Sequence, residues 1–147
     1  MNFKIDFNTK WSDFDPNRHM RHTAYNDYAA EVRVRFFKEH GLSVDEFANL
    51  NLGPILFKEE TSFYKEIRIG EHITVDMELE GVSKGIERWR FKHQAFNKDG
   101  ILSAEIKVYG AWLNLTKRKL AIPPRKFADC FDDLPKSENF KEIILRK

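Results

Sequence analysis

Cysteine and long apolar runs are both scarce in this sequence. The only cysteine, Cys130, cannot form an internal disulfide, and the first residues lack the apolar stretch that a secretory signal requires. The richest apolar stretch, residues 101–115, is broken by Ser103, Glu105 and Lys107, so no segment approaches the ~18 residues of a membrane-spanning helix. We therefore expect a soluble, cytoplasmic protein that does not bind a membrane.

An excess of charge of one sign is lacking as well. The chain has 25 lysine and arginine residues against 23 aspartate and glutamate residues, and the two signs are interleaved along most of its length. Nucleic-acid binding usually requires a basic face or segment, so this balance gives little reason to expect it. With 147 residues, of which 41% are hydrophobic, the chain has the size of one domain rather than two.

One amphipathic helix is predicted early in the chain. Between Thr23 and His40 the apolar residues recur at spacings of three and four, which is typical of a helix with one buried face: Tyr25, Tyr28, Ala29, Val32 and Phe36. Thr23 is a plausible N-cap, and Gly41 stands where a glycine commonly ends a helix.

After about residue 55 the hydrophobic period changes to two, which predicts strands. The alternation is clearest over residues 73–80 and 87–96, and a long strand follows at 101–115, so we expect residues 72–115 to form a three-stranded antiparallel meander. Two further strands, Phe3 to Trp11 and Phe57 to Ile69, bring the sheet to five and give an α+β arrangement. Because the other sheet face and the edge strands still need burial, we expect a homodimer that joins two sheets or packs them back to back.

The end of the chain is predicted to lie outside this sheet. Pro123 and Pro124 end the regular structure, and the segment that follows is rich in charge. We place the domain at residues 1–127 and interpret residues 128–147 as a weakly ordered tail or a peripheral helix. Cys130 lies there among aspartates, a setting that raises a thiol pKa, so catalysis by this cysteine is not expected.

The segment from Asp13 to His22, directly before the helix, is rich in side chains that can take part in catalysis. It contains two carboxylates, two histidines and a proline within ten residues. Unpaired amides at a helix start, together with the helix dipole, can polarise a carbonyl that a nearby carboxylate attacks or hydrates. Alternatively, these residues only solvate the loop and cap the helix, and spacing alone does not decide between the two interpretations.

The same segment resembles the signature of the 4-hydroxybenzoyl-CoA thioesterase branch of the hotdog superfamily, which includes the YbgC-type acyl-CoA thioesterases. The similarity covers about residues 5–125, and its motif residues are Asp13, Asp15, His19, Met20, Tyr25, Tyr28, Glu31 and Arg33. The resemblance implies a hotdog fold, in which a five-stranded antiparallel sheet wraps around one long helix. It also implies a dimer or tetramer with its site between two subunits.

By this resemblance, Asp15 is the catalytic carboxylate, acting either as nucleophile or as general base in the hydrolysis of an acyl-CoA thioester to free acid and coenzyme A. The first helical turn, from Thr23 to Tyr25, would polarise the thioester carbonyl, and His22 could orient water or assist Asp15. Tyr25 or Phe57 could also line an acyl pocket.

Two departures from the family pattern concern the same loop. Arg18 replaces the glycine that commonly precedes His19, and Arg21-His22 replaces a frequent Asn-Asn pair. Arg18 and Arg21 either contact the coenzyme A phosphates or face solvent.

Other residues of the sequence are alternatives to Asp15. Glu31 is the reserve catalytic carboxylate, although an ion pair with Arg33 or Arg35 is the simpler role. His19 and His22 lack a third ligand at a recognised zinc spacing, so neither a metal nor another cofactor is predicted. Two alternative functions remain, a non-catalytic acyl-CoA-binding module and a hotdog hydratase or dehydratase.

Overall fold

A computed structural model describes residues 3–146 and contains one sheet with helices on and beside it. The helices are α1 (His22–Glu39), α2 (Val44–Asn49) and α3 (Phe127–Asp132), and a 3₁₀ turn spans Trp11–Asp13. The strands are β1 (Phe3–Phe7), β2 (Leu52–Phe63), β3 (Ile73–Val82), β4 (Arg88–Phe96), β5 (Leu102–Asn114) and β6 (Lys136–Glu142).

The sheet has six strands rather than the predicted five. Five of them run in the order β1-β3-β4-β5-β2 and pair antiparallel, and the meander of β3, β4 and β5 is present as predicted. The sixth strand, β6, pairs parallel with residues 79–82 of β3, next to the stretch 73–77 that pairs with β1. β1 and β6 therefore share one side of β3, and β2 forms the opposite edge of the sheet.

The predicted bounds of two strands were wrong. β1 ends at Phe7 instead of Trp11, because the chain turns there and then closes the 3₁₀ turn. β2 starts at Leu52 and ends at Phe63, whereas the prediction placed it from Phe57 to Ile69. Alternation of polarity is weak on this edge strand, where most side chains are exposed, and its bounds are therefore difficult to find from the pattern.

α1 has 18 residues and presents its apolar stripe to the sheet, as predicted. Its buried side chains are Ala24, Tyr25, Ala29, Val32, Phe36 and Phe37. The helix begins at His22 with Arg21 at the N-cap, so Thr23 is not the cap. Gly41 follows the helix with a φ of +79°, which glycine adopts without strain, and its amide donates to the Lys38 carbonyl.

The segment after Arg125, whose residues 128–147 were predicted as a weakly ordered tail or a peripheral helix, contributes α3 and β6. α3 places Phe127, Cys130 and Phe131 in the core, and the Phe131 ring lies 5.6 Å from that of Phe91 on β4. Burying each phenylalanine contributes roughly 1.5–3 kcal/mol. Burial also raises the pKa of the Cys130 thiol to about 12, so the thiol is protonated at neutral pH.

None of the helices within residues 3–146 is both long enough and apolar enough to cross a membrane.

Candidate functional site

The loop that carries Asp15 is a closed, hydrogen-bonded turn. The Asp15 amide donates to the His19 carbonyl over 2.9 Å, and the Asp15 carbonyl accepts from the Arg18 amide over 2.9 Å. The Asp15 side chain folds back onto this turn, where Oδ1 accepts from the amides of Asn17 (2.9 Å) and His19 (3.2 Å). Within the described residues, both side-chain hydrogen bonds of Asp15 end on Oδ1, and Oδ2 accepts none.

Arg18 occupies a position in this turn that favours glycine. Its φ is +67°, in the left-handed region that costs an ordinary residue roughly 1–2 kcal/mol. The thioesterase signature that this segment resembles commonly has glycine at this position, and the positive φ of Arg18 is one that glycine adopts without strain. Arg18 itself is exposed and holds the shape through its backbone alone.

The turn is anchored to the segment that follows β2. The Met20 amide donates to the Ile67 carbonyl over 2.8 Å, and the Ile69 amide donates to the Arg18 carbonyl over 3.0 Å. Met20 and Ile67 are both buried, so these bonds tie the loop to the core. Asp15 is thereby held by two chain segments that are about 50 residues apart in the sequence.

Asp15 lies in an open groove of about 400 Å³. The groove brings together the three residues predicted to be catalytic, Asp15, His22 and Tyr25, with six others: His19, Met20, Phe63, Tyr64, Lys65 and Glu66. The Tyr25 ring packs edge-on against the Phe63 ring at 5.4 Å. Burial raises the pKa of the Tyr25 phenol, which therefore keeps its proton at neutral pH.

The first turn of α1 opens onto the same groove through His22. The Arg21 side chain at the N-cap accepts no hydrogen bond from the backbone amides of this turn, and the Ala24 amide donates to the Arg21 carbonyl. A helix leaves its first amides without intrahelical partners and carries a partial positive charge at that end. Neither the His22 amide nor the Thr23 amide has a hydrogen-bond partner within the described residues, and His22 lines the groove.

A histidine–glutamate pair in the groove was missed by the sequence analysis. His19 Nε2 lies 2.7 Å from Glu66 Oε2, and Glu66 Oε1 accepts from Arg68 Nε at 3.2 Å. Glu66 follows a strand whose end was predicted wrongly, and it belongs to no recognised motif. Only the pairing of the Asp15 loop with residues 67–69 brings it to His19.

The two aspartates of the motif have different surroundings. Asp13 is only 3% exposed, and its Oδ2 accepts from the Tyr28 hydroxyl and, over 3.0 Å, from the Lys10 amide. Its carbonyl accepts from the Arg21 amide over 2.7 Å. Asp13 therefore fastens the 3₁₀ turn to α1, and Asp15 is the motif carboxylate that faces the groove.

The remaining predicted site residues lie outside the groove. Arg21 donates through Nε to the Ser12 carbonyl over 2.6 Å and through its guanidinium to the Thr23 hydroxyl, so both residues brace the start of α1. Phe57 is 48% exposed on β2, where it lies beside Tyr109. Glu31 is exposed, and its Oε2 lies 2.9 Å from Arg35 Nε. This is one of the ion pairs predicted for Glu31.

Comparison with known proteins identifies the family. Residues 9–131 match the model of the Thioesterase-like superfamily, and the chain belongs to this family. No curated protein matches the chain.

Solved structures share its hotdog fold at low identity. A Staphylococcus aureus protein in complex with CoA is 23% identical, with a TM-score of 0.84 over 100% of this chain and 96% of that one. A 1,4-dihydroxy-2-naphthoyl-CoA thioesterase from Synechocystis is 15% identical, with a TM-score of 0.79 over 91% and 98%. A DHNA-CoA thioesterase from S. aureus is 17% identical, with a TM-score of 0.78 over 89% and 87%.

Proposed function

We propose that this protein hydrolyses an acyl-CoA thioester to a free acid and coenzyme A. The observation that carries the proposal is the position of Asp15, whose carboxylate shares one groove with His22, the first residue of α1. A carboxylate on one side of a carbonyl and backbone donors on the other are the two groups that acyl transfer to water needs. The 4-hydroxybenzoyl-CoA-type motif supports the same assignment.

In this mechanism the thioester carbonyl oxygen accepts from the amides of His22 and Thr23. Asp15 either removes a proton from water as that water attacks the carbonyl carbon, or attacks the carbon itself and forms an anhydride that water then opens. In both routes the carbon–sulfur bond breaks, coenzyme A leaves as a thiolate and takes up a proton, and the acid remains. Tyr25 and Phe63 provide an aromatic wall for the acyl group.

The CoA ligand and the enzyme class have support from the relatives. One similar structure is a complex with CoA, and two are thioesterases of an aromatic acyl-CoA. Because these proteins are less than 25% identical to this chain, they support the choice of thioester without fixing the acyl group.

We also propose that the active form is a homodimer joined through β2. This strand is a long edge of the sheet, and three of its large apolar side chains are 41–52% exposed: Leu56, Phe57 and Phe63. An exposed apolar edge strand is a template for pairing with another strand. Twofold antiparallel pairing would bring opposite ends of the two β2 strands together, so Phe57 and the start of β2 could approach the partner's Asp15 groove.

Thiol release from a panel of acyl-CoAs tests the reaction. Wild-type protein should release thiol, and Asp15→Asn should lower the rate by about 10²–10⁴-fold, because it removes the nucleophile or base. Glu31→Gln is the matched control, since it neutralises an exposed carboxylate on the neighbouring helix and should leave the rate unchanged.

Three results would count against the proposal. Retained activity in Asp15→Asn would exclude Asp15 as the catalytic carboxylate. Loss of activity in Glu31→Gln alone would assign that role to Glu31. Absence of thiol release from any thioester would favour a non-catalytic binding module. Loss of the conjugated absorbance of crotonyl-CoA without thiol release would indicate a hydratase.

A further inference from the structure

One ring nitrogen of His19 is held by a carboxylate in the Asp15 groove. His19 Nε2 lies 2.7 Å from Glu66 Oε2, and both residues line the groove. Glu66 Oε1 accepts from Arg68 Nε over 3.2 Å, so both carboxylate oxygens are engaged. Because an ionised carboxylate only accepts hydrogen bonds, Nε2 carries the proton of this contact, and the contact fixes the orientation of the imidazole ring.

The second ring nitrogen of His19, Nδ1, has no hydrogen-bond partner within residues 3–146. With the proton on Nε2, a neutral imidazole keeps a lone pair on Nδ1 that can take a proton from water. The His19 side chain is 44% exposed and lines the groove, so water reaches it. A carboxylate on one nitrogen and an open position at the other is the arrangement that general-base histidines use.

The pair of His19 and Glu66 is not needed to anchor the Asp15 loop. Backbone hydrogen bonds between residues 18–20 and 67–69 already join that loop to the segment after β2. The two side chains of the pair are 44% and 37% exposed, and an ion pair at such a position adds little to stability. Anchoring therefore does not account for the position of this histidine beside the carboxylate.

Other histidines of the chain do not combine a carboxylate partner with a place in the groove. His40 lies 3.0 Å from Asp133, and His72 lies 3.3 Å from Asp6, but neither histidine lines the groove. His22 does line it, yet no carboxylate of the described residues lies within ion-pair distance of its ring. The combination is confined to one histidine in the part of the chain that the structure describes.

We propose that His19, oriented by Glu66, is the general base for the water that completes the hydrolysis. This inference rests on the proposed thioesterase function. The His19 amide donates to Asp15 Oδ1 over 3.2 Å, so the base and the carboxylate belong to one turn. Asp15 Oδ2 accepts no hydrogen bond from the described residues, which leaves this oxygen available to attack the carbonyl carbon itself.

The two side chains then act in successive steps. In the first, Asp15 Oδ2 bonds to the carbonyl carbon, the carbon–sulfur bond breaks, and coenzyme A leaves as a thiolate. In the second, a water oxygen bonds to the acyl carbon of the anhydride, the water gives one proton to His19 Nδ1, and the bond to Asp15 Oδ2 breaks. The imidazolium and the released acid give their protons to solvent, from which the thiolate takes up one.

Rapid mixing with an acyl-CoA that wild-type protein hydrolyses tests the second step. His19→Gln should release about one thiol per site in a burst and then turn over about 10²-fold more slowly than wild type, because the anhydride forms but opens slowly. Asp15→Asn should show no burst. His72→Gln, which changes a histidine paired with a carboxylate outside the groove, is the matched control and should keep the wild-type rate.

Two further measurements separate a base from a structural residue. Added imidazole should restore part of the turnover of His19→Ala, because it can occupy the space of the missing ring, and it should not accelerate His72→Ala or Asp15→Asn. Since Glu66 acts through the ring, His19→Ala combined with Glu66→Gln should be no slower than His19→Ala alone.

The outcomes distinguish this proposal from the proposed function. Absence of thiol release by wild-type protein would overturn both. With an active wild type and an inactive Asp15→Asn, an unchanged rate in His19→Gln, a slow rate without a burst, or a failure of imidazole to rescue His19→Ala would overturn the role of His19 alone. A burst and imidazole rescue in His22→Ala instead would assign the base to His22.

Discussion

His19 Nε2 lies 2.7 Å from Glu66 Oε2 inside the groove that holds Asp15, although 47 positions separate the two residues in the sequence. Arg68 contacts the other oxygen of Glu66, so the glutamate is held on both sides. The backbone of His19 is itself bonded to Asp15, through its amide and through its carbonyl. A change at Glu66 can therefore alter the catalytic loop without touching Asp15.

Glu66→Gln should slow thioester hydrolysis without weakening substrate binding. The substitution removes the charge that orients the His19 ring, so we expect kcat to fall roughly tenfold while KM stays within about twofold. The control is Glu60→Gln, an exposed carboxylate on β2 that pairs with Lys58. Parallel loss of kcat in both variants, or a change in KM alone, would contradict an orienting role for Glu66.

The effect of a substitution at Arg18 on stability should depend on how well the new residue adopts a positive φ, and not on the loss of the charge. Arg18→Gly relieves the strain of the positive φ but makes the unfolded chain more flexible, so stability should change by less than about 1 kcal/mol. Arg18→Val should destabilise by about 1–2 kcal/mol, because a β-branched residue fits this region poorly. Urea denaturation measures both.

Asn17→Val is the control for this series. Asn17 is an exposed neighbour that is not among the residues with a positive φ, and its bond to Asp15 uses only its backbone. It should change stability by less than about 0.5 kcal/mol. Equal losses for valine at positions 17 and 18 would show that the backbone angle is not the cause.

Two buried groups, Asp76 and His93, should have opposite effects on the pH dependence of the free energy of unfolding. That free energy should therefore change little in wild-type protein between about pH 6.5 and 4. Burial raises the pKa of Asp76 to about 6 and, with a contribution from Arg33, lowers the pKa of His93 to about 3. Below its ordinary pKa of 6.5, His93 takes up a proton only when the chain unfolds, so its contribution to stability falls as the pH falls. Asp76 binds its proton more tightly in the folded chain between pH 3.8 and about 6, which has the opposite effect.

Asp76→Asn should reveal the pH dependence of stability that His93 causes. The variant should be more stable than wild type at pH 7 by up to about 3 kcal/mol, because it no longer buries a charge. It should then lose stability steeply as the pH falls from 6.5 towards 4, where wild type stays nearly constant. Chemical denaturation across this range is the measurement, and parallel pH profiles would contradict the assignment.

Phe131→Ala should show that the C-terminal segment belongs to the core. Phe131 is 4% exposed and packs on Phe91, so its loss should cost about 3–5 kcal/mol of unfolding free energy. Asp132→Ala, at an exposed neighbouring position of α3, should change stability by less than about 0.5 kcal/mol. A loss below about 1 kcal/mol in Phe131→Ala would mean that α3 is only loosely attached.

Local patterns were sufficient for much of the fold. The three- and four-residue spacing predicted α1, and the strict alternation of residues 73–79 predicted β3, because both elements bury one face and their residue types show it. β2 was misplaced because it is an exposed edge strand. The packing of Phe127, Cys130 and Phe131 was not visible in the sequence, because charged residues surround these three.

The sequence by itself determined the α+β class, the helix that faces the sheet and the segment where the chemistry is proposed. Asp15 stays a prediction, although the structure does bring it together with His22 and Tyr25. Only the tertiary structure decided that Asp13 is buried and that Glu66 reaches His19. Helix and strand periods are local, whereas these relationships arise from segments that meet only when the sheet closes on α1.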